Sequence, residues 1–188
     1  VPTPTFHPKD LGITKPYVLT IGRLETKKNT AHLIQSFSVL KQSTDVQLVL
    51  VGRPGRGYPA VAKELKLCPY SEDILRFDHL DEETLAGLLK HAAVFAFPSL
   101  YEGFGLPLLE ALSLGVPTIA SDIEPLHEVG GVAARFVDPM DTKVWAETMQ
   151  LIVKDMGEQI KLSHEGRERA ALFSWEKTAQ LTWEAIAN

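Results

Sequence analysis

The sequence predicts an α/β protein: a Rossmann-like, three-layer parallel sheet with helices on both faces. Three observations carry that prediction. Short apolar runs alternate with amphipathic stretches along the chain, strand then helix, about six times. The apolar runs are nearly continuous rather than alternating with polar residues, as strands buried on both faces must be. Glycine- and charge-rich segments follow the runs, and right-handed crossovers place such segments at the carboxyl edge of the sheet, where these folds bind ligands.

The elements follow in order. Residues 1–14 open with "VPTPTFHPKDLG", which has three prolines in eight residues and no methionine at position 1. It reads as an extended linker remnant, and the chain is expected to be part of something longer. "YVLTIG" (17–22), "VQLVLVG" (46–52), "ILRF" (74–77), "VFAFP" (94–98), "PTIAS" (117–121) and "ARFVD" (134–138) read as strands. Residues 30–42 place Leu33, Ile34, Phe37 and Leu40 on one helical stripe, and 82–91 do the same with Leu85, Leu88 and Leu89. Asp81 offers an N-cap, with Glu82 and Glu83 suited to the first turn. Pro107 fits the first turn of a helix, and Gly115 before Val116-Pro117 ends it, which gives a helix over 106–114. The tail from about 141 to 187 reads as helical, with Ser174 capping its last segment. The expected division is a Rossmann-like domain over 15–172 and a terminal helix over 173–188.

Composition narrows the function classes. A chain of 188 residues supports one domain with a real core. Hydrophobic content of 45% and charged content of 23% are ordinary for a soluble globular protein. The net charge of −5 argues against nucleic acid as a partner, since no basic excess is present to neutralise phosphates. An anionic ligand must be held by a local cluster. The single cysteine, Cys68, excludes an internal disulfide and a multi-thiolate metal site, and it fits a reducing, cytoplasmic setting. Its plain role is a small buried side chain. No run approaches the roughly 18 apolar residues of a membrane span, and the opening residues do not read as a signal peptide.

Chemistry concentrates after the strands. In "GRLETKKNT" (22–30), Gly22 ends a strand without a Cβ and lets a ligand approach the backbone. Arg23 follows, and Lys27 and Lys28 stand where a helix begins. Cations there oppose the helix dipole unless a diphosphate lies between them and the helix amides; otherwise they simply point into water. The second loop, "GRPGRGYP" (52–59), is glycine-rich and basic. It matches neither the dinucleotide fingerprint nor the P-loop, which counts against a dehydrogenase and a nucleotide triphosphatase. It reads as a flexible turn with Arg56 as a phosphate neighbour. In "PSLYEGFGLPLLEALSLGVP" (98–117), Gly103, Phe104 and Gly105 precede a helix start whose amides suit phosphate or sugar oxygens. Glu102 in the loop and Glu110 on the helix are carboxylates that can accept from sugar hydroxyls, and one carboxylate can take both hydroxyls of a ribose. Singly, each also reads as a solvated acid. His127 reads as a loop residue rather than a base.

These segments resemble family 4 (group 1) glycosyltransferases of the GT-B fold, specifically their carboxyl-terminal donor-binding domain. The resemblance covers nearly the whole chain. It rests on "GRLETKKN", on "ILRFDHLDEETLAGLLKHAAVFAFPSLYEGFGLPLLEALSLGVPTIASD", on "VDPMD" and on "FSWEK". The Glu-x7-Glu spacing gains specificity from Pro98-Ser99 before it and Gly115-x-Pro117 after it.

The resemblance implies a role for each matching residue. Arg23 and Lys28 match the basic pair that grips the donor diphosphate and absorbs charge as it leaves. Glu102 matches the acid that contacts the transferred sugar, and Glu110 the acid that holds the ribose. Gly103, Phe104 and Gly105, with Leu106 adjoining, match the loop that meets sugar and phosphate oxygens. Arg76 to Leu80, including Phe77, occupy the loop that lies against the nucleobase through backbone atoms, although "DHL" departs from the commoner pattern.

The resemblance further implies retaining transfer from a UDP-, GDP- or ADP-linked sugar, with no cofactor and no essential metal. In keeping with that, the chain has no Asp-x-Asp triplet, and its six histidines form no ligand cluster. A missing amino-terminal domain would hold the acceptor, a saccharide, lipid or small molecule, and carry any peripheral membrane attachment. Residues 173–188 would cross toward that domain, leaving Trp175 or Trp183 partly exposed here, and the isolated fragment would be inactive. Two alternatives stay open: a nucleotide-sugar-binding or regulatory module without transferase activity, and a nucleotide-sugar epimerase of the same fold.

Overall fold

Alternate residues of each central strand enter opposite cores, and this builds three layers from continuous apolar runs. The computed structural model describes residues 6–187. Among them six parallel strands form one sheet: β1 (Tyr17–Ile21), β2 (Gln47–Val51), β3 (Ile74–Phe77), β4 (Val94–Phe97), β5 (Thr118–Ser121) and β6 (Arg135–Val137). Their order is β3-β2-β1-β4-β5-β6. Leu19 pairs with Val49 on one side and Phe95 on the other, which fixes the central register. Val18, Leu48, Leu50, Val94 and Ala96 face one core, while Leu19, Val49, Val51, Phe95 and Phe97 face the other.

Helices α1 (Thr30–Leu40), α2 (Tyr58–Leu67) and α6 (Thr142–Lys154) cover the first core through Phe37, Val61 and Trp145. Helices α3 (Glu82–Lys90), α4 (Leu106–Ser113) and α5 (Glu124–Gly130) cover the second through Leu88, Leu108 and Leu126. Helix α7 (Met156–Ala170) packs on α4 and α6, and its Leu162 and Ala170 reach both cores. The expected caps are present: Asp81 accepts from Thr84 N–H at 2.9 Å, Ser174 from Lys177 N–H at 3.1 Å, and Gly115 leaves α4 at φ +70°. Cys68 is buried with its Sγ 3.1 Å from Ser38 Oγ.

Several local readings are revised. Helices α2 and α5 complete the alternation although no individual helical stripe marks them in the sequence, and His127 lies within α5 rather than in a loop. The proline-rich opening, read as an extended linker, is packed over its described part; residues 1–5 lie outside the described residues. Pro8–Leu11 form a 3-10 turn, Ile13 is buried, and Phe6 and Leu11 pack on the core. Helix α8 (Trp175–Ala187) buries no residue, and Trp175 and Trp183 are 74% and 72% exposed.

Charges stitch the amino edge of the sheet. Lys15 precedes β1, Asp45 precedes β2 and Asp73 precedes β3. Lys15 bridges Asp45 at 2.8 Å and Asp73 at 3.0 Å, while Lys41 bridges the same two at 3.0 and 2.7 Å. Hydrogen bonds from Lys15, then Lys41, hold the Asp45 carboxyl below its ordinary value. Burial pushes Asp73 up, but bonds from Lys41 and Lys15 more than reverse it. Both lysines are raised: Lys15 by Asp45 and then Asp73, and Lys41 because the bonds to Asp73 and Asp45 outweigh its burial. A depressed carboxylate stabilises the fold above its unfolded pKa of about 4, and that contribution is lost as pH falls through the folded value. The lysine contribution is whole below the unfolded value of about 10 and is lost only as pH rises through the higher folded values. Asp73→Asn should therefore lower the urea midpoint at pH 7, and the gap from wild type should shrink at pH 3. An equal gap at both pH values would contradict this.

Candidate functional site

Strands β1 and β4 are neighbours, but the chain leaves β1 toward β2 and leaves β4 toward β5. Their following loops part above the carboxyl edge and open the crevice in which such sheets bind ligands. Segment 22–29 forms one wall and segment 98–105 the other.

The first wall is a 3-10 turn, Thr26–Lys28, closed by Asn29 at φ +52°. Asparagine tolerates this left-handed backbone better than most residues, and Asn29 Nδ2 also donates to Pro139 O at 2.8 Å. The Lys28 stem runs over Gly22, where a Cβ would stand 3.5 Å from Lys28 Cε. Lys28 Nζ lies 4.9 Å from the centroid of the Phe97 ring and donates to Glu102 Oε1 on the other wall. The two side chains are only 18% and 13% exposed, so each charge is largely withdrawn from water and matched by the other. Arg23, beside Gly22, is exposed.

The second wall leads into α4. Gly105 has φ +102°, a left-handed backbone that favours glycine, and a Cβ there would also press on Leu126 Cδ2 of α5 at 2.7 Å. Gly103 faces open space. The amides of Gly103, Phe104, Gly105 and Leu106 donate to no acceptor among the described residues, and they stand at the helix end that attracts anions. Phe104 and Leu106 are 40% and 45% exposed, and Phe104 meets Phe173 edge-on at 5.9 Å. Glu110 is exposed one turn into α4. Beneath the loop, the Ser99 hydroxyl is buried with no partner among the described residues.

Arg76, Phe77 and Leu80 stand on the β3 side of the edge, two strand spacings or roughly 10 Å from β1. Arg76 and Phe77 are strand residues, so the loop proper begins at Asp78. Arg76 donates to Tyr58 Oη, and its guanidinium sits 5.8 Å from the Tyr58 ring centroid. Phe77 O accepts from Gly52 N–H at 2.8 Å, and Phe77 and Leu80 pack on the core.

The second loop is not a free turn. Its backbone is zipped to the first: Leu24 N–H donates to Arg53 O at 3.0 Å, Gly55 N–H to Leu24 O at 3.0 Å, and Thr26 N–H to Arg56 O at 2.9 Å. His127 stacks on Phe136 at 3.9 Å and bonds Asp122 at 2.6 Å, and these contacts account for it structurally. Phe97 and Asn29, which support Lys28, were not singled out from sequence. Asn29 carried one signal, an asparagine at a helix start. Among the described residues no group of three or more His, Cys, Asp or Glu side chains could hold a metal ion, and no helix is long and apolar enough to cross a membrane.

Known proteins resemble this chain in sequence and fold. The family model for "Glycosyl transferases group 1" matches residues 5–169. The chain is 35% identical over 172 residues to O-antigen chain mannosyltransferase B of Escherichia coli, covering 90% of this chain and 45% of that protein. It is 33% identical over 189 residues to the MMP alpha-(1->4)-mannosyltransferase of Mycolicibacterium hassiacum, covering 97% and 45%. The chain thus spans about half the length of the curated relatives it matches. Sucrose-phosphate synthase from Thermosynechococcus elongatus superposes with a TM-score of 0.81 at 29% identity, over 95% of this chain and 48% of that one. With the family model matching across both walls of the crevice, the chain belongs to the group 1 glycosyl transferases.

Proposed function

We propose that the chain binds a nucleoside-diphosphate sugar in the crevice between segments 22–29 and 98–105, and that it is the donor half of a retaining, metal-independent transferase. The observation that carries this reading is the meeting of Lys28 and Glu102 across the switch point. A paired cation and acid over free helix amides suit a ligand with an anionic diphosphate and a hydroxyl-rich sugar. Arg23 and Lys28 clamp the diphosphate and take up the charge that develops on it as the bond to the sugar breaks. Glu102 orients the sugar, Glu110 accepts from the ribose, and the backbone near Phe77 and Leu80 flanks the base. The body of the acceptor is held by a second domain. Mannose is the first sugar to test, because two of the relatives named above are mannosyltransferases.

Calorimetric titration with UDP, GDP, ADP and their sugar conjugates tests the reading. One diphosphate should bind clearly better than the others. Glu110→Ala should weaken it by roughly 1–3 kcal/mol, the cost of leaving hydroxyls unpaired. Absence of binding by all three, or unchanged affinity in the variant while the wild type binds, would contradict the respective assignments.

A further inference from the structure

A groove of about 560 Å³ adjoins the crevice, lined by Glu25, Thr26, Lys27, Arg56 and Leu100. Its volume falls in the range of roughly 300–1,000 Å³ that small ligands occupy. Three separate segments build it, following β1, β2 and β4, and backbone bonds lock them together. Arg56 O accepts from Thr26 N–H at 2.9 Å and from the Thr26 hydroxyl at 3.3 Å, and Lys27 O accepts from Leu100 N–H at 2.8 Å. A groove framed this way is formed before a ligand arrives, so little ordering is required on binding.

Of its two cations one is unpaired among the described residues, and the other pairs with Glu25 of the same groove, a carboxylate that a bound anion must displace from Lys27. Arg56 makes no ion pair among the described residues, and Lys27 has only Glu25 at 3.5 Å with its own side chain 58% exposed. By contrast Lys28 is engaged by Glu102, and Arg76 by Tyr58 and Asp78. A chain of net charge −5 nevertheless gathers Arg23, Lys27, Lys28, Arg53 and Arg56 in two adjoining loops. A donor diphosphate accounts for Arg23 and Lys28, and Glu25 in part for Lys27, which leaves Arg53 and Arg56 without an ion pair among the described residues. A guanidinium fork and an ammonium in one groove suit a phosphate group, and Leu100, 39% exposed, offers an apolar wall beside them.

We propose that this groove is a second phosphate site, which holds an anionic group of the acceptor next to the donor. The proposal rests on the donor reading above, because Lys27 precedes Lys28 and Leu100 stands two residues before Glu102, so a phosphate held here lies beside the sugar to be transferred. The phosphate can belong to a soluble sugar phosphate or to a phospholipid-linked acceptor.

The test is an amide NMR titration of the 15N-labelled chain, saturated with the preferred nucleoside diphosphate, at constant ionic strength. Inorganic phosphate and then glucose 6-phosphate are added, and phosphatidylglycerol vesicles are offered by co-sedimentation. Saturable shifts are expected at Thr26, Lys27, Arg56 and Leu100, weakened about tenfold or more in Lys27→Gln/Arg56→Gln. Tighter glucose 6-phosphate binding would support the soluble source, and vesicle binding lost in the variant would support the lipid one. Both substituted residues are exposed, and a thermal melt confirms the fold. No shifts at these residues, or equal shifts in the variant, would overturn the proposal. Should no nucleoside diphosphate bind, the same titration is run on the free chain: groove shifts then uphold the second site and remove the donor reading, and their absence removes both.

Discussion

Lys28→Met is expected to cut affinity for the preferred nucleoside diphosphate by about 100-fold, roughly 3 kcal/mol, the upper value for a hydrogen bond to a charged group. The same variant should be less stable, because Glu102 would remain 13% exposed with its counter-charge removed. Glu102→Gln is informative because the expected signs diverge. In the ligand-free protein Glu102 engages Lys28, so a diphosphate must compete with it. Removing that carboxylate frees the ammonium and should tighten the diphosphate several-fold, while the intact nucleotide sugar loses the contact that favours it. Calorimetry on both ligands reads the difference directly. Equal losses on both would show that Glu102 serves only to hold the fold.

Gly52→Ala should destabilise the chain by roughly 3–5 kcal/mol, near the upper end for single substitutions. Gly52 has φ +152°, and a Cβ built there stands 1.9 Å from Gly22 O and 2.6 Å from Gly22 C. Neither atom can move without displacing the end of β1, so the clash falls on the backbone that carries Lys28. Diphosphate binding should fall with stability. Gly103→Ala is the matched control: its Cβ would meet nothing within 4 Å, and a surface change of that kind stays within about 0.5 kcal/mol. Urea unfolding of the two variants should separate them clearly, and similar midpoints would contradict the interlock of the two loops.

The strands were legible in the sequence because burial on both faces leaves continuous apolar runs, and glycine or proline marks where those runs stop. Helix α4 was legible for a related reason, since Pro107 and Gly115 bracket it. Helix α2 buries only Val61 fully and follows three glycines, so its period was weak and its start concealed. Helix α5 has seven residues, too few for a periodic signal, so nothing in the sequence sets His127 apart from a loop residue.

The candidate site was legible as a set of residues but not as a set of contacts. Lys28 and Glu102 are 74 positions apart, and only the placement of β4 beside β1 brings them together. Phe97, which supports Lys28, looked like any other core residue. The glycines at 52, 55 and 57 illustrate a more general limit. Glycine signals flexibility and close backbone approach with the same letter, and here close approach prevails because the two loops share a ladder. Arg56 and Lys27 likewise meet in one groove only after that ladder forms.

The most direct measurement is a crystal of the chain soaked in the preferred nucleoside diphosphate. Density for the two phosphates is expected between the side chains of Arg23 and Lys28 and the amides of Gly103 to Leu106, with Glu102 released from Lys28. Diphosphate density at the groove where α6 meets α7, around Gln150, Lys154 and Met156, with the switch-point crevice unchanged, would contradict that expectation.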